Sequence, residues 1–139
     1  MKKRTPVSAI MTKNLITLNH TDSLETAEGL FKSHNIRHIP VVSGDSIKGM
    51  LSYTDLLRIS FADSIDDDEA SVDTTVYNMF TIEQVMAKNL VKVSSGTTIK
   101  EVAEILSKKE FHAIPVVQND ALVGIVTTTD LIDYLLEQF

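Results

Sequence analysis

The apolar positions of this chain fall into one pattern, written twice. The run Ile39-Pro40-Val41-Val42 is broken by polar Ser43-Gly44-Asp45. A second run, Gly49-Met50-Leu51, closes on Ser52, and Asp55 follows ahead of Leu56 and Leu57. The same order returns in Ile114-Pro115-Val116-Val117, the break Gln118-Asn119-Asp120, the run Gly124-Ile125-Val126, then Thr127 and Asp130 ahead of Leu131 and Ile132. Equivalent positions lie 75 apart (114 − 39 = 75), and the same offset joins Met11 to Met86 and Lys13-Asn14-Leu15 to Lys88-Asn89-Leu90 without a gap. Internal self-similarity of this kind decides the architecture before any single motif does.

Each copy predicts strand, helix, strand, strand, helix. Leu15-Ile16-Thr17-Leu18 and Leu90-Val91-Lys92-Val93 read as short strands. Asp22 with Glu25, and Thr98 with Glu101, have capping-box spacing, one residue out of phase between the copies. The helices that follow carry apolar stripes, Leu24, Ala27 and Phe31 in one, Ile99, Val102, Ala103 and Leu106 in the other, ending near Asn35 and Lys109. Strands are expected over 38–43, 47–52, 112–117 and 121–127, and last helices starting at Ser52 and Thr127. Residues 7–11 and 82–86 read as helical turns leading into each copy. The fold class is therefore α/β, with a first repeat in 1–61, a connection in 62–81 and a second repeat in 82–139. A repeat of roughly 60 residues has a marginal core by itself, so the two are expected to pack as one domain about a pseudo-twofold axis.

Composition narrows the function. The 139 residues hold no cysteine, which excludes disulfides, thiolate zinc sites and a cysteine nucleophile. This suits a cytoplasmic location. No apolar run reaches the ~18 residues of a membrane span, and the start Met1-Lys2-Lys3-Arg4 is interrupted too early to be a signal peptide. The net charge of −6 disfavours direct nucleic-acid binding. That charge sits in the connection: Asp63, Asp66, Asp67, Asp68, Glu69 and Asp73 account for it, leaving 13 acids against 13 bases elsewhere. His20, His34, His38 and His112 lack metal-ligand spacing, and the acidic run lacks the Gly and closing Glu of a calcium loop. No nucleophile, base and orienting group share a spacing that supports catalysis, so an enzyme is not expected.

The remaining chemistry lies in Ser52-x-x-Asp55 and Thr127-x-x-Asp130. The spacing is that of a capping box, and a purely structural role accounts for it. The same geometry also suits a ligand. Helix N-terminal amides attract phosphate, a hydroxyl there donates to it, and a carboxylate in the same turn accepts from ribose hydroxyls. Gly49 and Gly124, three residues earlier, either ease strand packing or let a ligand approach the backbone.

These paired motifs, with Ile-Pro-Val-Val and the strand-helix lead-in, resemble a tandem pair of CBS domains (cystathionine β-synthase type repeats), also called a Bateman module. The likeness runs from about residue 7 to 136, outside the acidic connection. It implies clefts between two repeats that hold adenine nucleotides or adenosyl compounds, with Ser52, Asp55, Thr127 and Asp130 on ribose and phosphate. Thr54 and Thr129 stand behind them. Arg37 and His38, and His112 in the second copy, are implied as phosphate contacts, where Ala113 departs from the basic pattern. An adenine slot would draw on Ile16, Ile39, Pro40 and Met50, and on Val91, Ile114, Pro115 and Ile125.

The expected function is a non-catalytic regulatory module sensing AMP, ADP or ATP, with no required cofactor, acting on an unidentified protein partner or within its own dimer. S-adenosylmethionine is the alternative ligand, and a ligand-free dimerisation module the alternative class. The broad apolar faces of the last helices, Leu131, Ile132, Leu135, Leu136 and Phe139 with Leu56, Leu57 and Phe61, predict a homodimer.

Overall fold

The computed structural model describes residues 4–63, 79–109 and 112–139. The acidic residues of the connection beyond Asp63, and Met1-Lys2-Lys3 of the basic tail, lie outside them. The chain divides into two compact units. The first unit is Ile16–Asn89, and the second joins Met1–Leu15 to Leu90–Phe139.

In the first unit, β1 (Leu18–Asn19) leads to α1 (Leu24–His34), then β2 (His38–Ser43), β3 (Ser46–Ser52) and α2 (Tyr53–Asp63), and α3 (Ile82–Val85) completes it. The sheet order is β1-β2-β3. β1 runs parallel to β2 through Leu18↔Val41, and β2 is antiparallel to β3 through Ile39↔Leu51 and Pro40↔Met50. Strand alternation sends Ile39, Val41 and Leu51 to one face. There they join Leu18, Leu24, Ala27, Phe31 and Leu56 in a core with no accessible surface beyond a trace at Phe31. The rings of Phe31 and Tyr53, 5.3 Å apart, tie α1 to the start of α2.

The second unit repeats this with β4 (Val93–Ser94), α4 (Ile99–Lys108), β5 (Ala113–Gln118), β6 (Ala121–Thr127) and α5 (Thr128–Glu137), in sheet order β4-β5-β6. Its core is Val93, Val102, Ile114, Val116 and Val126. Both hairpins carry a register shift at the same place, after Val41 and after Val116. The turns differ. Gly44 alone is left-handed in the first, as a II′ turn requires, whereas Asn119 and Asp120 are both left-handed in the second, as in a I′ turn.

Each unit is completed by a turn from the other repeat. Val7, in a short 3-10 turn (Val7–Ala9), is fully buried in the second unit's core, with Ile10 and Met11 packed on it. Ile82 and Met86 do the same in the first unit. A pair of backbone bonds fixes each strap: Met50 N–H to Ala87 O at 3.0 Å and Ala87 N–H to Met50 O at 2.9 Å, matched by Thr12 and Ile125 at 2.8 and 3.1 Å. The turns expected to lead into their own repeats are thus exchanged, and the compact units do not follow the cut at 61 and 82. Burying Val7 and Ile82 contributes about 1.5–3 kcal/mol apiece to a repeat whose own core is small.

Two further expectations are corrected. The lead-in strands shift to Leu18–Asn19 and Val93–Ser94, because, of the expected residues, only Leu18 and Val93 pair with β2 and β5, while His20 N–H adds a bond to Val42 O at 3.0 Å. The first helix is capped by Ser23, which accepts from Thr26 N–H at 3.1 Å, in phase with Thr98. Asp22 instead accepts from Asn19 N–H at 2.8 Å and holds the turn before the helix.

Candidate functional site

The space left by each missing Cβ at Gly49 and Gly124 is occupied by protein. A Cβ on Gly49 would meet Met86 Sδ, and would lie 2.8 Å from both Met86 Cγ and Ala87 O. On Gly124 it would lie 2.6 Å from Met11 Sδ and 3.1 Å from Thr12 O. The close approach that these glycines permit is that of the exchanged straps, so of the two readings of these glycines close packing is the one seen.

The hydroxyl–carboxylate pairs stand at the helix starts. In the first unit Ser52 Oγ accepts from Asp55 N–H at 3.0 Å, and among the described residues its own proton has no acceptor. The Arg37 carbonyl accepts from Tyr53 N–H at 2.9 Å, which brings the Arg37 backbone to the first turn of α2. Asp55 has one side-chain partner among the described residues, the Arg58 guanidinium at 3.4 Å. His38 is half-buried and pairs with Ser52 across the hairpin.

In the second unit the capping box closes on itself. Thr127 Oγ1 accepts from Asp130 N–H at 3.1 Å while Asp130 Oδ2 accepts from Thr127 N–H at 3.0 Å. Thr12, on the strap, points its hydroxyl at both Asp130 oxygens from 3.4 Å. His112 occupies the place of Arg37 and gives its carbonyl to Thr128 N–H at 3.0 Å.

The adenine-slot residues divide. Ile39 and Ile114 have no accessible surface and belong to the two cores, so they present nothing to a ligand. The pleat that turns them inward puts Pro40 with Met50, and Pro115 with Ile125, on the opposite face, where they too are buried. Ile16 and Val91 keep accessible surface. The sequence reading missed Arg58 and Thr12. Both stand out once the 75-residue offset is applied to every position, because their counterparts are Asp133 and Ala87. A separate groove of the first unit, where His20 Nδ1 lies 2.8 Å from Glu83 beside Thr21 and Thr81, includes no residue expected at a site. Among the described residues no cluster of three or more His, Asp or Glu could hold a metal. Among them no helix is long and apolar enough to cross a membrane.

Two three-stranded α/β units, each with a hydroxyl and a carboxylate at the start of its last helix, define a duplicated α/β module. The family model for the CBS domain matches residues 7–62 and 82–137. The chain belongs to the CBS domain family, as a tandem pair. Among its relatives are two proteins of Methanocaldococcus jannaschii. MJ1225 is 28% identical over 131 residues, covering 94% of this chain and 42% of that protein. MJ1404 is 28% identical over 138 residues, covering 97% of this chain and 33% of that protein. The chain therefore spans less than half the length of either.

Solved structures share the fold. The CBS domain pair of protein MJ0100 in complex with 5′-methylthioadenosine and S-adenosyl-L-methionine has a TM-score of 0.76 and 26% identity over 97% of this chain and 98% of that one. CBSX2 in complex with AMP has a TM-score of 0.80 over 96% of this chain and 97% of that one, and at 21% identity is a likeness of fold.

Proposed function

We propose that this chain is a non-catalytic regulatory module that senses an adenine nucleotide, AMP, ADP or ATP, and passes its occupancy to a protein partner or across its own dimer. One observation carries the reading: Asp55 and Ser52 stand together at a helix start where, among the described residues, nothing accepts the hydroxyl proton and the carboxylate is not closed into a capping box. Asp55 and Asp130 accept from ribose hydroxyls. At the first unit Ser52 and the helix amides hold phosphate, with Arg37 and His38 as further donors, and Thr127 and His112 are the corresponding candidates in the second. Ile16 in the first unit and Val91 in the second keep accessible surface and are the apolar candidates for contact with a base. The complexes of CBSX2 with AMP and of MJ0100 with adenosyl compounds support an adenosine-containing ligand. Arg37 and Arg58 favour an anionic tail over the sulfonium of S-adenosylmethionine.

The dimer reading rests on α5, where Ile132 is 52% and Leu136 65% exposed, and on Leu57 of α2. A twofold contact would cover such apolar side chains.

The test is thermal unfolding with and without millimolar AMP, ADP, ATP and S-adenosylmethionine. A ligand at about 100 times its Kd adds ~2.7 kcal/mol. A rise with an adenine nucleotide supports the sensor. No rise with any of the four refutes it and leaves the dimerisation module.

A further inference from the structure

Among the differences between the two copies around the helix starts, four point the same way. Arg37 is replaced by His112, His38 by Ala113 and Arg58 by Asp133, while Ala87 of the first unit's strap stands where the second unit's strap has Thr12. On the three positions Arg37, Asp55 and Arg58 the formal charge is +1, and on His112, Asp130 and Asp133 it is −2 with histidine neutral. A phosphate dianion is drawn to the first and repelled by the second.

The hydrogen bonding agrees with the charge. Asp130 is held by Thr127 N–H and faces the Thr12 hydroxyl, so a ribose must displace protein donors to reach it. Asp55 has no hydroxyl to displace, because the strap residue beside Met50 is Ala87. Among the described residues its one side-chain partner, Arg58, is 75% exposed, and the 3.4 Å separation is loose for a charge-assisted bond. A guanidinium so placed can leave the carboxylate to ribose hydroxyls and turn to a phosphate.

We infer that the two sites are unequal: the first unit holds a nucleoside 5′-phosphate with Arg58 as a phosphate-contacting residue, and the second, through Thr12 and Asp133, excludes one. This rests on the nucleotide-sensing reading above and adds to it the stoichiometry and the residues that set it.

The experiment is isothermal titration of the full chain with AMP and, as a probe lacking phosphate, adenosine. Wild type takes one AMP per chain. Arg58→Ala weakens AMP about 10- to 100-fold, the loss of a charge-assisted contact, and moves adenosine by less than about threefold. The double variant Thr12→Ala, Asp133→Arg gains a second AMP per chain. Two equal AMP sites in wild type, or unchanged AMP affinity in Arg58→Ala, overturns the inference while the sensor reading stands. Absence of binding by both AMP and adenosine overturns the two together. A circular-dichroism melt of each variant identifies any that fails to fold. Arg58→Lys, which keeps the charge, then supplies the same comparison and is expected to retain part of the AMP affinity.

Discussion

Gly49→Ala tests the exchanged strap most directly. The added Cβ would meet Met86 Sδ and lie 2.8 Å from Ala87 O. The sulfur sits on a flexible side chain and can move. The carbonyl cannot move alone, because it accepts from Met50 N–H at 3.0 Å in the pair of bonds that fixes the strap. Overpacking of this kind costs about 1–3 kcal/mol, and the gain from a stiffer unfolded chain offsets ~0.4–1 kcal/mol of it. A net loss of about 1–2 kcal/mol remains, near 4 °C of Tm per kcal/mol for a chain of this size. Gly29→Ala is the internal control. It lies inside α1 with nothing within 4 Å of its Cβ position, and is expected to raise stability by about 0.5–1 kcal/mol. Urea or thermal unfolding should separate the two variants by ~2 kcal/mol. Adding Met86→Ala should show a coupling of about 1 kcal/mol with Gly49→Ala, since the two side chains contend for one space. A Gly49→Ala protein that melts with or above wild type would show that the strap does not seat there.

Thr127→Ala removes the acceptor for Asp130 N–H from a closed capping box, and urea unfolding should register a loss of ~1 kcal/mol, largely restored by Ser. Leu135→Glu, on the exposed side of α5, should leave the fold within about 0.5 kcal/mol and split the dimer. Light scattering at micromolar concentration checks it: a wild-type mass near 15.4 kDa would refute the dimer, and a variant that stays dimeric would move the interface elsewhere.

Apolar periodicity carried the fold because its anchors are local. Leu24, Ala27 and Phe31 mark a helix face wherever that face packs, and Ile39, Val41 and Leu51 mark the inner side of a hairpin. Alternation and turn chemistry placed β2, β3, β5 and β6 within a residue of the structure. The lead-in segments were less legible. Leu15, Ile16 and Leu90, Val91 look like strand residues, yet strand pairing needs a partner row, and only Leu18–Asn19 and Val93–Ser94 have one. Nothing in the local sequence of residues 7–11 or 82–86 says which repeat will bury them, since both repeats offer a similar groove beside a glycine. For the site, the motif named Ser52, Asp55, Thr127 and Asp130. It was silent on Arg58, one turn along α2, and on Thr12, which meets Asp130 from 118 residues away. Ile39 and Ile114 were taken for slot residues because apolar side chains serve a pocket or a core equally well until the pleat assigns their face.

The exchange of straps sets an order on the making of the protein. Ile16–Asn89 is continuous, so a growing chain has every residue of the first unit, Ile82 and Met86 included, once it has reached residue 89. The second unit has no such moment. Val7 and Met11 are made before the first unit and their partners in β5 and β6 after it, so the bridge from Thr12 to Ile125 closes around the whole of that unit. Contacts of such long sequence separation form slowly, and domains fold as units during synthesis. The nascent chain therefore carries an apolar segment past a finished first unit and holds it uncovered until β5 and β6 appear. A chain arrested near residue 89 has the residues of one unit and an orphaned Val7-Ile10-Met11 stripe, the kind of surface that chaperones recognise and that aggregation begins from.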